Sequence, residues 1–182
     1  MKEDVKEIVL QTTDLILNKG KYKYLVEKSF DIPELLINIF QKYGYQYKYT
    51  EHNDFPEIVF YCDLGKFSSG SFQISYRYEL YFSKLAKVYK YKFIHEIVNH
   101  DPDNITGNFI EGEEVFPYTQ TQLLFHEEIQ AKLIELNFIE LTYRDYNEVL
   151  INYEFINSDL KFFNEQPNVD LLFFNNLFDI EI

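Results

Sequence analysis

FQISYRYELYF, residues 72–82, decides the fold class. Phe72, Ile74, Tyr76, Tyr78, Leu80 and Phe82 occupy alternate positions, with Gln73, Ser75, Arg77 and Glu79 between them. Side-chain character that repeats every second residue is that of a strand with one face on a core and one in water. A turn around Ser83–Lys87 leads into a second alternating run, where Tyr89, Tyr91, Phe93 and Ile97 are interleaved with Lys90, Lys92 and Glu96. Two such runs joined by a short turn predict an antiparallel sheet with one wet face. Pairing across it brings Arg77 and Glu79 near Lys90 and Lys92, using part of the basic charge internally.

Upstream of this hairpin, Glu57–Asp63 is a compact apolar run, expected to end in a Gly and Ser-rich loop over residues 64–70. Tyr45, Tyr47 and Tyr49 alternate with Gln46 and Lys48. Further back the period changes. Val5, Ile8, Val9, Thr12, Leu15 and Ile16 are spaced for one helix face, with Gly20 as a stop. Leu35, Leu36, Ile39, Phe40 and Tyr43 predict a second helix that starts near Asp31–Glu34 and ends at Gly44.

Downstream, a loop is expected over Asp101–Pro117. Thr119 and Gln122 then fit a capping box, in which each side chain satisfies an amide at the start of a helix. Phe125, Ile129, Leu133 and Leu136 give that helix a buried stripe, and Asn137 suits its left-handed end. Phe138–Tyr143 and Val149–Ile156 read as strands, while the apolar run from Asp170 is too short to assign to helix or strand. The class is α+β: N-terminal helices, a central antiparallel β-meander, and a C-terminal helix packed on the sheet. With no repeat, low-complexity tract or Pro/Gly/Ser linker, residues 1–182 are expected to form a single α+β domain.

Composition narrows the functional classes. Sixteen Tyr and eighteen Phe stand beside two Ala, no Trp and one Met, the signature of an AT-rich coding sequence; the aromatics alone do not imply a binding platform. The acidic N-terminus does not suit a secretory signal, and no apolar run approaches the ~20 residues that span a bilayer. Together with one cysteine, Cys62, expected as a buried thiol, this predicts a cytoplasmic protein.

Net charge is −13, and its distribution is uneven. Residues 1–92 hold fourteen Lys and Arg against twelve Asp and Glu, whereas residues 93–182 hold three against eighteen. An acidic surface of that kind repels phosphate backbones and speeds the approach of a basic partner; its bland counterpart is a solubilising face.

Motifs for chemistry fail on spacing. His95 and His100 are five apart, not the four a zinc-binding helix requires, so they diverge by about 140° on a helix and point to opposite faces of a strand. Asp101 and Asp103 open a calcium-like loop, but Ile105 replaces an oxygen ligand and Gly112 stands where the bidentate Glu belongs. Ser68–Ser71 lacks nucleophile-elbow and phosphate-loop spacing, and His126 is expected on an exposed or capping part of its helix. No cofactor, metal or catalytic residue is therefore assigned.

The acidic stretch Glu111, Glu113 and Glu114, flanked by Phe109, Ile110, Val115 and Phe116, suits a basic partner, with charge for rate and Phe for buried area. Asp101, Asp103, Glu127 and Glu128 extend that expected partner-binding set. In its whole-chain build, with an N-terminal helix, a Tyr/Phe-rich meander over residues 72–97 and an acidic helical part over residues 119–137, the sequence resembles bacterial immunity proteins of polymorphic-toxin and contact-dependent inhibition systems. That resemblance implies binding and neutralising a basic toxin domain, often a nuclease, with no direct nucleic-acid binding. The alternatives are a small enzyme with a carboxylate/His site and a phage-type DNA mimic, which needs carboxylates at phosphate-like spacing.

Overall fold

The computed structural model describes residues 1–18, 21–28, 34–51, 55–101, 103, 109–148 and 168–175. The 72–82 run is β3 (Phe72–Ser83), paired on one side with β2 (Glu57–Ser69) and on the other with β4 (Val88–Asn99). β1 (Gln46–Glu51) and β5 (Phe109–Glu114) complete an antiparallel meander in the spatial order β1-β2-β3-β4-β5. The helices are α1 (Glu3–Thr13), followed by a π-helical turn over Asp14–Asn18, then α2 (Tyr22–Glu27), α3 (Glu34–Lys42) and α4 (Gln120–Glu135). A two-residue strand β6 (Ile139–Glu140), α5 (Tyr143–Tyr146) and α6 (Val169–Phe174) follow. The α+β class and its layering are as the alternation predicts.

α3 and α4 cover one face of the sheet. Leu36, Ile39 and Phe40 meet Phe125, Ile129 and Leu133 over Ile58, Phe60, Tyr78, Leu80, Phe82 and Phe93. Gly44, at φ +70°, ends α3 in the left-handed region, and Asn137 does the same for α4 at φ +60°. The start of α4 uses a shifted box. Thr119 accepts from the Gln122 amide at 3.2 Å, while the Gln122 side chain accepts from the Tyr118 amide at 2.9 Å, one residue earlier than a standard box.

The opposite face is only half wet. Val5, Val9, Ile16, Tyr22 and Val26 pack with Leu85, Val88, Leu141, Val169, Leu172, Phe173 and Phe174 into a second core. Lys90, which alternation assigns to water, is 8% exposed there, paired to Asp170 and stacked 4.5 Å from the Phe174 ring. Glu79 stands opposite Lys92 across β3 and β4 as expected, but the ion pairs formed are different. Arg77 joins Glu79 at 2.8 Å, and Lys92 reaches outward to Glu113 at 2.7 Å.

Residues 64–70 are not a loop. β2 continues to Ser69, and the register slips by one between Asp63 and Gly65. Gly65 adopts φ +102°, a conformation open to glycine, and donates its amide to Asp63 at 2.9 Å. That bulge inverts the parity of everything after it. Lys66 lies opposite Ser75 on the half-wet face, and Phe67 lies opposite Ile74 on the helix-covered face. Gly70, at φ +60°, takes the first position of the two-residue hairpin turn.

Two further expectations are corrected. Phe138–Tyr143 is not a strand beyond β6, because Thr142 and the buried Asp145 form a capping box that starts α5. The 101–117 loop contains β5, an edge strand whose Glu and Gly content disguises it. After Thr13 α1 passes into the π-helical turn, which continues the helical path to Asn18. The start at Asp31, the stop at Gly20 and the strand at Val149–Ile156 fall outside the described residues. Of the run from Asp170, residues 170–174 are helical, in α6.

Candidate protein-binding face

Beyond the start of α4 the helix-covered face of the sheet is open. Phe67, Ile74, Ile97 and Ile110 lie in direct register across β2, β3, β4 and β5, forming one apolar row across four strands. Phe67 is 61% exposed and Ile110 59%, and Phe72 beside the row is 51% exposed although its alternation assigns it to the core. The cover stops one row earlier. There Tyr76, His95 and Gly112 align across β3, β4 and β5. Tyr118 closes that row, its ring 5.2 Å from Tyr76 and its hydroxyl 2.6 Å from His95 Nδ1. A contiguous apolar row of this length, edged by charge, is the anatomy of an interaction surface.

The sequence-predicted residues fall into three groups around it. Asp101 and Asp103 sit in the connection after β4, at the same end of the sheet as the row. Asn99 accepts from the Asp101 amide and Asp101 from the Asp103 amide, each at 3.0 Å, which makes this stretch a pair of Asx turns. Glu114 shares the face of Ile110, and Phe116 just beyond it is 73% exposed. Glu111 and Glu113 point to the other face, toward Arg77 at 3.5 Å and Lys92 at 2.7 Å, and remain largely exposed. β5 thus shows carboxylates on both sides of one sheet edge.

Glu127 and Glu128 stand apart on α4. Glu127 is exposed, whereas Glu128 is bound by Lys42 at 2.7 Å and by the Tyr43 hydroxyl at 3.2 Å. Those hydrogen bonds hold the Glu128 carboxyl below the usual carboxylate range. Its work is to join α4 to α3, and it does not share the face of Ile110. Sequence reasoning missed Phe67, Phe72, Ile74 and Ile97 as surface residues. Their alternation is that of a core face, and only the length of α4 leaves them uncovered.

His95 and His126 are held by packing and hydrogen bonds. His126 is a correction: instead of an exposed or capping position it is 5% exposed, with Nδ1 3.1 Å from the Tyr78 hydroxyl and its ring 4.2 Å from Tyr91. Burial pushes its pKa down to about 4, so the ring is neutral near pH 7. Cys62 is buried as expected, and burial pushes its thiol up to about 12, which suppresses the nucleophilic thiolate.

Gly112 is the tightest point of this face. A Cβ there would overlap the His95 ring, 2.7 Å from Nε2 and nearer still to Cε1. His95 cannot swing away without breaking its bond to Tyr118. Gly112→Ala is therefore expected to cost about 2 kcal/mol in urea unfolding, the ordinary penalty of overpacking. An unchanged midpoint would show that His95 is not held there.

The chain matches no protein-family model, no curated protein and no solved structure.

Proposed function

We propose that the protein binds a basic protein partner through this open face and neutralises it, acting as an immunity protein against a toxin domain. The observation that supports this most is the apolar row Phe67–Ile74–Ile97–Ile110, with Asp101 and Asp103 at the same end of the sheet and Glu114 on the same face farther along β5. Apolar side chains in register supply area that excludes water, and the surrounding carboxylates supply attraction and register for a basic surface. Like charge keeps nucleic acid away from the same face. The acidic β5 edge also discourages pairing with a second copy of the chain, leaving a partner of opposite charge favoured. His95 and His126 are engaged by the Tyr118 and Tyr78 hydroxyls, so neither offers a free imidazole to this face.

The test is co-expression with a basic toxin domain encoded in a neighbouring gene, read as rescue of growth. Phe67→Asp with Ile110→Asp is expected to abolish rescue while thermal unfolding stays within a few degrees of the parent. No rescue by the parent protein, or full rescue by that variant, would sink the reading. In the same complex Glu113→Lys with Glu114→Lys should slow association about tenfold at low salt and flatten its salt dependence. Unchanged association kinetics would remove β5 from the interface.

A further inference from the structure

The uncovered half of the opposite sheet face carries a concavity of about 370 Å³, within the range of small-molecule sites. Lys48, Lys66 and Arg77 line it, with Tyr61, Asp63 and Glu96, above Ile94. The topology builds it. Lys48 opposes Tyr61 across β1 and β2, and Asp63 opposes Arg77 across β2 and β3. The bulge at Gly65 then swings Lys66 onto this face opposite Ser75. Without the extra residue Lys66 would point to the apolar row instead.

The charge here runs against the rest of the molecule. Three cations face two carboxylates around this concavity, in a chain whose net charge is −13. Lys48 lies 5.4 Å from the centre of the Tyr61 ring, and neither Lys48 nor Lys66 has an ion-pair partner among the described residues. Asp63 already accepts the Gly65 amide at 2.9 Å, so part of its acceptor capacity is used. Arg77 spends Nε on Glu79 and approaches Glu111 through Nη2, leaving further donors of its five.

We propose that this concavity binds a small organic anion through a phosphate or carboxylate head. Lys48 and Lys66 supply the charge, Arg77 supplies planar donors, and the Tyr61 ring borders the body of the ligand. The site lies on the opposite face from Phe67 and Ile110 and stands or falls independently of the partner reading.

Calorimetry with adenosine monophosphate, citrate and inorganic phosphate, and with adenosine as the uncharged control, tests it. Saturable one-to-one binding of adenosine monophosphate or citrate is expected, with adenosine at least about tenfold weaker. A preference for the nucleotide and phosphate identifies a phosphoryl head, and a preference for citrate a carboxylate one; both support the site. Lys48→Gln with Lys66→Gln should weaken the bound anion by about tenfold or more, while Lys21→Gln with Lys28→Gln should leave it unchanged. Both pairs are solvent-exposed, so folding is expected to survive in each, checked by their unfolding midpoints. No saturable heat with any anion up to ~10 mM, or equal binding by the Lys48/Lys66 variant, would overturn it.

Discussion

Phe125→Ala is expected to lower unfolding free energy by about 4 kcal/mol, a large share of the ~5–15 kcal/mol typical of a domain. Phe125 is fully buried on the inner side of α4. Its ring lies 5.0 Å from Tyr45 and 5.4 Å from Tyr43, edge to face in both cases. It also meets Tyr78 at 5.4 Å and Phe40 at 5.9 Å. One residue thus joins α4 to α3, to the entry of β1 and to β3. Truncation loses the transfer free energy of the ring and leaves a cavity whose walls are themselves large and mutually packed. Four aromatic neighbours cannot collapse into it without giving up their own ring contacts, such as Tyr43 on Tyr45, Phe40 on Phe60 and Tyr78 on Tyr91 and Phe93.

Urea unfolding followed by tyrosine fluorescence gives the measurement. Phe125→Leu, which restores most of the volume, is expected to recover more than half of the loss. A loss below about 1 kcal/mol for the alanine variant would mean that α4 does not pack as described. The result bears on function as well. Tyr118 and the apolar row are positioned by the start of α4, so a loosened helix would blur the face proposed to bind the partner.

The meander was legible because its chemistry repeats at the period of its geometry. The Phe72–Phe82 and Tyr89–Ile97 alternations follow the observed parity of β3 and β4. The helix ends at Gly44 and Asn137 were legible for a similar reason, since left-handed backbone restricts the residue type. What escaped depends on distant partners. Lys90 looks solvent-facing until α6, eighty residues later, supplies Asp170 and Phe174. β5 is a strand because β4 offers an unpaired edge and Lys92 and Arg77 offer opposite charge; its own composition argues for a loop.

The candidate site was half legible. Charge pointed to residues 101–114; Asp101 and Asp103 lie at the end of the sheet that carries the open apolar row, and Glu114 lies two rows farther along β5. The row itself was hidden, because a residue awaiting a partner and a residue facing a core carry the same alternation. The bulge at Gly65 was hidden too, since its glycine reads equally well as the start of a loop. That one residue gives Phe67 to the apolar row and Lys66 to the concavity behind it.

Acidification offers the second large effect, through His126. The ring is enclosed by Tyr78, Tyr91 and Phe93, and burial alone pushes its pKa to about 4. Tyr78 is held well above the ordinary phenol range by its own burial, so it stays neutral and offers the imidazolium only a hydroxyl dipole. Above pH 7 the ring is uncharged in both folded and unfolded chains and contributes no slope. As pH falls below the unfolded value of 6.5, the unfolded chain takes up a proton that the folded chain refuses. Stability then drops by about 1.4 kcal/mol per pH unit until the folded ring titrates near pH 4, a total of about 3 kcal/mol. Glu128, held low by Lys42, adds its loss only as pH falls through the carboxylate range, so comparing pH 7.5 with pH 5.0 isolates the histidine contribution. His126→Gln keeps a polar group near Tyr78 but cannot titrate, while His52, His95 and His100 are common to both proteins. Urea titrations at the two pH values should show the parent losing about 2 kcal/mol more than the variant. Equal losses would place His126 in solvent and contradict the packing of α4 on β3 and β4.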